Sequence, residues 1–281
     1  MGLYREQLER VLVAALASAR PRAASWLQAH PESFLVVDWT HVFYGTHRDI
    51  ALDLPGIERL IARAEPTLED RRALSSWSRR LLRLAHLIGD AVPLIGRWFV
   101  DPTMRQQMHD ANTYLRNRGG VGASIRRLVR EPIEAAWSAG ERVLLIGHSL
   151  GSVICFDTLW ELSQADPSRR VELFLTMGSP LGTHFITRRL RSVGKRGRVG
   201  YPRNIRRWIN LSARGDGTAL YPRLEPRFRE MRELGIVESI VDHVGLENWF
   251  RGAFGVNPHE AYGYMALPIV TDIIGDFIER R

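Results

Sequence analysis

A serine with a glycine two residues away on either side is a pattern with chemical content. Here it is Gly147-His148-Ser149-Leu150-Gly151, preceded by the apolar run Val143-Leu144-Leu145-Ile146 and followed by the apolar stretch from Val153 to Leu162. A strand that reverses sharply into a helix lifts the serine oxygen above the edge of a sheet. The serine then occupies a strained backbone conformation, and side chains two residues to either side would clash, which accounts for both glycines. The helix N-terminus offers N–H groups without intrahelical partners and the positive end of a dipole to a developing oxyanion, so the Leu150 N–H is expected as one oxyanion donor. On composition alone the pattern arises in about one chain in ten of this length. The strand before it and the helix after it are what raise it above coincidence.

A serine hydroxyl becomes an effective nucleophile when a histidine takes its proton, and a carboxylate then fixes the histidine's tautomer and stabilises its charged form. In strand-turn-helix serine enzymes the order along the chain is serine, acid, histidine. Three histidines follow Ser149: His184, His243 and His259. His184 comes too soon after the Gly178-Ser179-Pro180 turn to follow an acid. His243 lies at the end of the run Ile236–Val241 and reads as structural. His259, in the loop Gly255–Glu260 before the last helix, is the expected base. The expected acid is Asp216, in Ser212-Ala213-Arg214-Gly215-Asp216-Gly217, where flanking glycines permit a tight exposed turn. Asp242 is its rival, because it too closes an apolar run and precedes His259. Glu260 adjoins the histidine and would point elsewhere.

Positioning these groups requires a framework. Phe34–Val37, Val143–Ile146, Val171–Thr176, Trp208–Leu211 and Ile236–Val241 read as short buried strands. Residues 3–19, 57–64, 68–88, 103–117, 122–138, 153–162 and 261–279 read as helices, the last broken near Pro268. Strands alternating with helices indicate an α/β fold with a mostly parallel sheet and helices on both faces. With 281 residues the chain is expected as a single domain, 1–281, with a helical lid-like insertion at about 57–138.

The run GHSLGSVICFDTL resembles the serine turn of lipase-like and esterase-like α/β hydrolases. The resemblance continues through LFLTMGSPLG, WINLSARGDGTAL and NPHEAYGYM, and covers roughly residues 34–281. It implies a Ser149–Asp216–His259 triad, cleavage of an ester-like bond (EC 3.1 before 3.4) and neither metal nor organic cofactor. Thioesterase, amidase and peptidase activities would use the same machinery. One departure stands out. No strand ending in a His-Gly loop, the usual source of the second oxyanion N–H, precedes the helix at 3–19. Either the N-terminus is truncated or Asp38–Gly45 supplies that contact. A catalytically impaired relative acting as a binding module is the alternative.

Composition bounds the rest. Hydrophobic residues make up 45% and charged residues 25%, as in ordinary globular chains. The single cysteine, Cys155, sits in the apolar run VICF and reads as core. A lone thiol forms no intrachain disulfide, and the expected location is cytoplasmic. Residues 11–19 (VLVAALASA) have some signal-peptide character. However, Glu6 and Glu9 offset Arg5 and Arg10, and the apolar positions recur at helical spacing, so an amphipathic helix is the better reading. The net charge of +8 is almost wholly arginine, since Lys195 is the only lysine. Arginines at 79, 80 and 83, and the cluster from Arg188 to Arg207 with its glycines, suggest a lid and a mobile basic loop. These point to a small-molecule or lipid ester substrate and peripheral membrane contact. No nucleic-acid-binding motif is present.

Overall fold

The computed structural model describes residues 2–45, 50–63, 65–75 and 102–280. In chain order these form helices α1 (Gly2–Ala19), α2 (Pro21–Ala29), α3 (Thr40–Tyr44), α4 (Leu54–Ala62), α5 (Leu68–Leu74), α6 (Pro102–Leu115) and α7 (Val121–Ser138). Strand β1 (Leu144–His148), α8 (Leu150–Ala165), β2 (Val171–Met177), α9 (His184–Thr187), β3 (Ile205–Ala213), α10 (Glu225–Glu233) and β4 (Ser239–Leu246) follow. The chain closes with β5 (Arg251–Gly252), β6 (Gly255–Val256), α11 (Ala261–Met265) and α12 (Pro268–Glu279). The fold is α/β: a four-stranded, all-parallel sheet in the order β1-β2-β3-β4, flanked by helices and consistent with an α/β-hydrolase-like architecture.

The chain forms two compact units, one of residues 1–76, 213–215 and 247–281, the other of residues 77–212 and 216–246. Of the expected insertion at 57–138, α4 and α5 fall in the first unit and α6 and α7 in the second. Residues 76–101, the centre of the expected lid, lie outside the described residues. No described helix is long and apolar enough to cross a membrane.

In the second unit, β1 and β2 pair in the register Leu144↔Leu173 to His148↔Met177, and β2 pairs with β3 from Val171↔Ile205 to Met177↔Leu211. Helix α8 packs on β1 and α7, and α10 packs on β4. The core centres on Phe156, Phe174, Trp208 and Phe228, all 3% exposed or less, with Trp208 4.9 Å from Phe228 and 5.3 Å from Phe174 between ring centroids. Aromatic pairs at these separations add to the stabilisation from burial alone. Cys155 lies in this core, and burial pushes its thiol up to about 12.

Two expected strands differ. The fourth begins at Ser239, three residues after the apolar run Ile236–Val241 starts. Gly235 is left-handed (φ 64°), the Gly235 N–H donates to the Arg232 carbonyl and the Ile236 N–H to the Met231 carbonyl. Ile236 therefore ends α10 as the apolar residue of a helix-terminating motif, and not as a strand residue. Phe34–Val37 is a connection without strand pairing. Leu35 is 65% exposed, and the Phe34 carbonyl accepts from Arg5 Nε at 2.8 Å instead of joining a ladder. Among the described residues the sheet starts at β1, an edge strand whose Leu144, Leu145 and Ile146 are only half-buried.

In the first unit, α1 packs on α2, α4, α11 and α12 and buries Leu8, Val11, Leu12 and Leu16, at the helical spacing seen in the sequence. Arg20 fans onto Asp272, Asp276 and Glu279 of α12. Asp70 is the main buried charge here, at 2% exposure. It completes a capping box with Thr67 at the start of α5 and accepts from Arg63 Nη2 at 2.7 Å and Arg251 Nη2 at 3.0 Å. Burial alone would raise its carboxyl, but the hydrogen bonds from Thr67 and Arg251 and the Arg63 charge hold it down at about 2.

A carboxyl lowered from 3.8 to about 2 on folding contributes about 2 kcal/mol, fully present above pH ~4 and lost as pH falls through ~2. Asp70→Asn is therefore expected to lower unfolding stability by about 2 kcal/mol at pH 7. In denaturant titrations the gap between variant and parent should close as pH approaches 2.

Candidate active site

The distinctive backbone of the second unit is at Ser149. Its φ of 52° and ψ of −131° make it one of two described non-glycine residues with positive φ. Such a conformation costs of order 1–3 kcal/mol and persists only where the surroundings dictate it. They do so here. The Ser149 N–H extends the β1–β2 pairing by donating to the Met177 carbonyl at 3.0 Å. The Ser149 carbonyl accepts from the Ser152 N–H at 3.0 Å and from Ser152 Oγ at 2.6 Å. Ser152 Oγ lies 2.7 Å from Ser179 Oγ, which accepts from the Leu181 N–H. A Cβ on Gly147 would stand 2.6 Å from Ser152 Cα, so the tight turn needs glycine at that position. Leu150 is the first residue of α8, so its N–H has no carbonyl in a preceding turn.

Asp216 follows β3 by three residues. Because the strands are parallel, Ser149 and Asp216 both follow the carboxyl ends of their strands, β1 and β3, which have β2 between them. Two strand spacings separate β1 from β3 by roughly 10 Å. Asp216 is 1% exposed, and its Oδ1 accepts from the Thr218 N–H at 2.9 Å and the Ala219 N–H at 3.4 Å, fixing the carboxylate's orientation.

Asp242 has a different task. It lies inside β4 and does not close it. Its Oδ1 accepts from Asn210 Nδ2 at 2.8 Å and the Leu224 N–H at 2.9 Å, and its Oδ2 from the Glu225 N–H at 2.9 Å. It thus caps α10 and ends a polar chain through the sheet. In that chain Trp208 Nε1 donates to Thr176 Oγ1, and Thr176 Oγ1 donates to Asn210 Oδ1, each at 3.0 Å. His243 lies in the same strand, beyond Asp242.

His259 belongs to the first unit, in the loop between β6 and α11. Its N–H donates to Asn257 Oδ1 at 3.1 Å. The fully buried Asn248 holds the loop on both sides, donating Nδ2 to the Pro258 and Glu260 carbonyls at 2.9 Å each. A Cβ on Gly263 would fall 1.8 Å from Asn248 Oδ1, so these two residues form one fitted pair. Glu260 caps α11, accepting from the Ala261 N–H. Sequence reasoning missed Asn248, Ser152 and Ser179. The buried Asn248 carried a weak signal in its position beside Trp249-Phe250. Ser152 and Ser179 are ordinary serines until the turn brings them together.

The structure also describes the remaining expected features. Asp38–Gly45, the expected source of a second oxyanion N–H, lies in the first unit. Asp38 Oδ1 there accepts from the Thr40 N–H at 3.1 Å, and α3 ends on left-handed Gly45. The arginine cluster at 188–207 is not one loose loop. Arg206 and Arg207 are strand residues paired with Glu172, and Arg203 donates to the Ser163 carbonyl. This later half lies near the amino end of β3, the sheet edge opposite Ser149. Among the described residues no group of three or more His, Cys, Asp or Glu side chains is arranged to hold a metal ion.

Comparison with protein-family models, with curated proteins and with solved structures gave no significant match.

Gly147→Ala tests the turn directly. With backbone atoms only 2.6 Å from the added methyl, stability is expected to fall by about 1–3 kcal/mol in denaturant titration. A neutral result would show that the turn is loose.

Proposed function

We propose that this chain is a serine hydrolase of the α/β-hydrolase type that cleaves an ester bond through an acyl-enzyme. The observation that carries this reading is the Ser149 backbone. A serine held at φ 52° between a parallel strand and a helix N-terminus is strained in the way that exposes a nucleophile. Ser149 Oγ attacks the substrate carbonyl while His259 accepts its proton. Asp216 fixes the tautomer of His259 and stabilises its imidazolium form. The negative charge on the tetrahedral intermediate's oxygen is met by the Leu150 N–H at the start of α8. Collapse of the intermediate expels the alcohol, which takes the proton back from His259, and water then releases the acid by the same route. The fixed orientation of Asp216, and the engagement of Asp242 in three hydrogen bonds within the sheet, favour Asp216 as the acid. The buried, high-pKa Cys155 is no competing nucleophile.

A panel of p-nitrophenyl esters of short and long acyl chains, with matched anilides, tests this. Ester hydrolysis is expected to exceed anilide hydrolysis, and Ser149→Ala and His259→Ala should each lower kcat by at least ~10³-fold. Asp216→Asn should lower kcat by about 10²–10⁴-fold, while Asp242→Asn should chiefly lower stability. Full activity in Asp216→Asn with loss in Asp242→Asn would reassign the acid. Hydrolysis unaffected by Ser149→Ala would sink the proposal.

A further inference from the structure

Helix α8 carries a second feature far from Ser149. Glu161 lies eleven residues beyond Leu150, about 16 Å along the helix axis. It borders a surface pocket of about 480 Å³ whose wall includes Ser124, Arg126, Arg127, Arg130 and Arg191. Four guanidiniums therefore face a single carboxylate. Glu161 Oε1 accepts from Arg126 Nε at 2.9 Å and Arg191 Nε at 3.2 Å, and its Oε2 from Arg130 Nη2 at 3.2 Å. One acid ties three arginines together and leaves the pocket strongly positive.

The arrangement is built into the fold. Arg126 is 4% exposed, with its guanidinium 5.7 Å from the Tyr114 ring centroid. Tyr114 Oη donates to Asp157 Oδ2 at 3.0 Å, and Asp157 Oδ1 accepts the Arg191 N–H at 2.8 Å. These contacts hold Arg126 and the backbone of Arg191 in place before any ligand arrives. The Arg130 and Arg191 side chains keep 38% and 47% of their surface exposed beside Glu161, open to an anion entering the pocket. Ser124 adds a hydroxyl from the first turns of α7, an 18-residue helix with no acidic residue in its first turn. Guanidinium forks match the oxygens of a phosphate, which can carry two charges where a carboxylate carries one.

We propose that this pocket binds a phosphate group, carried on a phosphorylated small molecule or a lipid headgroup. The site is independent of the hydrolase reading. Pyrophosphate serves as the soluble probe, and phosphatidylcholine vesicles with and without phosphatidic acid as the membrane probe. Arg127→Ala removes an exposed arginine of the pocket, and Arg196→Ala removes an exposed arginine outside it. Calorimetric titration should show pyrophosphate binding that weakens at least tenfold in Arg127→Ala and is unchanged in Arg196→Ala. The same pattern with phosphatidic acid vesicles, displaced by pyrophosphate, would support the site and identify the headgroup as its source of phosphate. Absence of binding to either probe, or equal weakening by both variants, would overturn the proposal.

Discussion

The structure turns on one backbone conformation. Ser149 sits at positive φ without being glycine, at a cost of order 1–3 kcal/mol that its surroundings must offset. The offset is assembled from several places. The β1–β2 register supplies the Met177 carbonyl, α8 supplies the Ser152 N–H and hydroxyl, and the turn after β2 supplies Ser179. Gly147 keeps the strand close enough for all three. A turn so determined from both sides does not relax to a cheaper conformation.

The polar groups within the sheet divide the remaining work. Trp208, Thr176, Asn210 and Asp242 form a hydrogen-bonded chain across β2, β3 and β4, with Asp242 also holding the start of α10. Buried donors and acceptors left unpaired cost several times what a made hydrogen bond contributes, so this chain locks register more than it adds net stability. Asp216 follows β3 at the carboxyl edge, with its Oδ1 accepting from the Thr218 and Ala219 N–H groups. In the other unit Asn248 and Gly263 hold the His259 loop, and Arg251 of β5 is tied to Asp70. The Ser149 turn and the His259 loop thus each rest on a buried hydrogen-bonding side chain, Ser152 and Asn248, and Asp216 on backbone N–H groups of its own turn.

Much of this was legible in the sequence, because the signals were local. β1, β2 and β3 announced themselves as apolar runs, and α1 through its helical spacing of Leu8, Val11, Leu12 and Leu16. The glycine-serine-glycine spacing gave the turn. Apolar runs misled where another contact claimed the residues. Ile236 closes a helix through Gly235, and Phe34 gives its carbonyl to Arg5, twenty-nine residues away. Asp242 read as a strand-end carboxylate because β4 was placed three residues early. Ser152 and Asp70 were invisible, and Asn248 nearly so, because their roles depend on partners brought together only by folding.

The most direct measurement is intact-mass analysis of the folded chain after treatment with a fluorophosphonate, followed by mapping of the modified peptide. The expected result is a single adduct on Ser149, since only a serine with an activated hydroxyl and an oxyanion donor reacts readily with such a reagent. No adduct on the folded protein, or an adduct on a different residue, would contradict the view that the strained turn presents a working nucleophile.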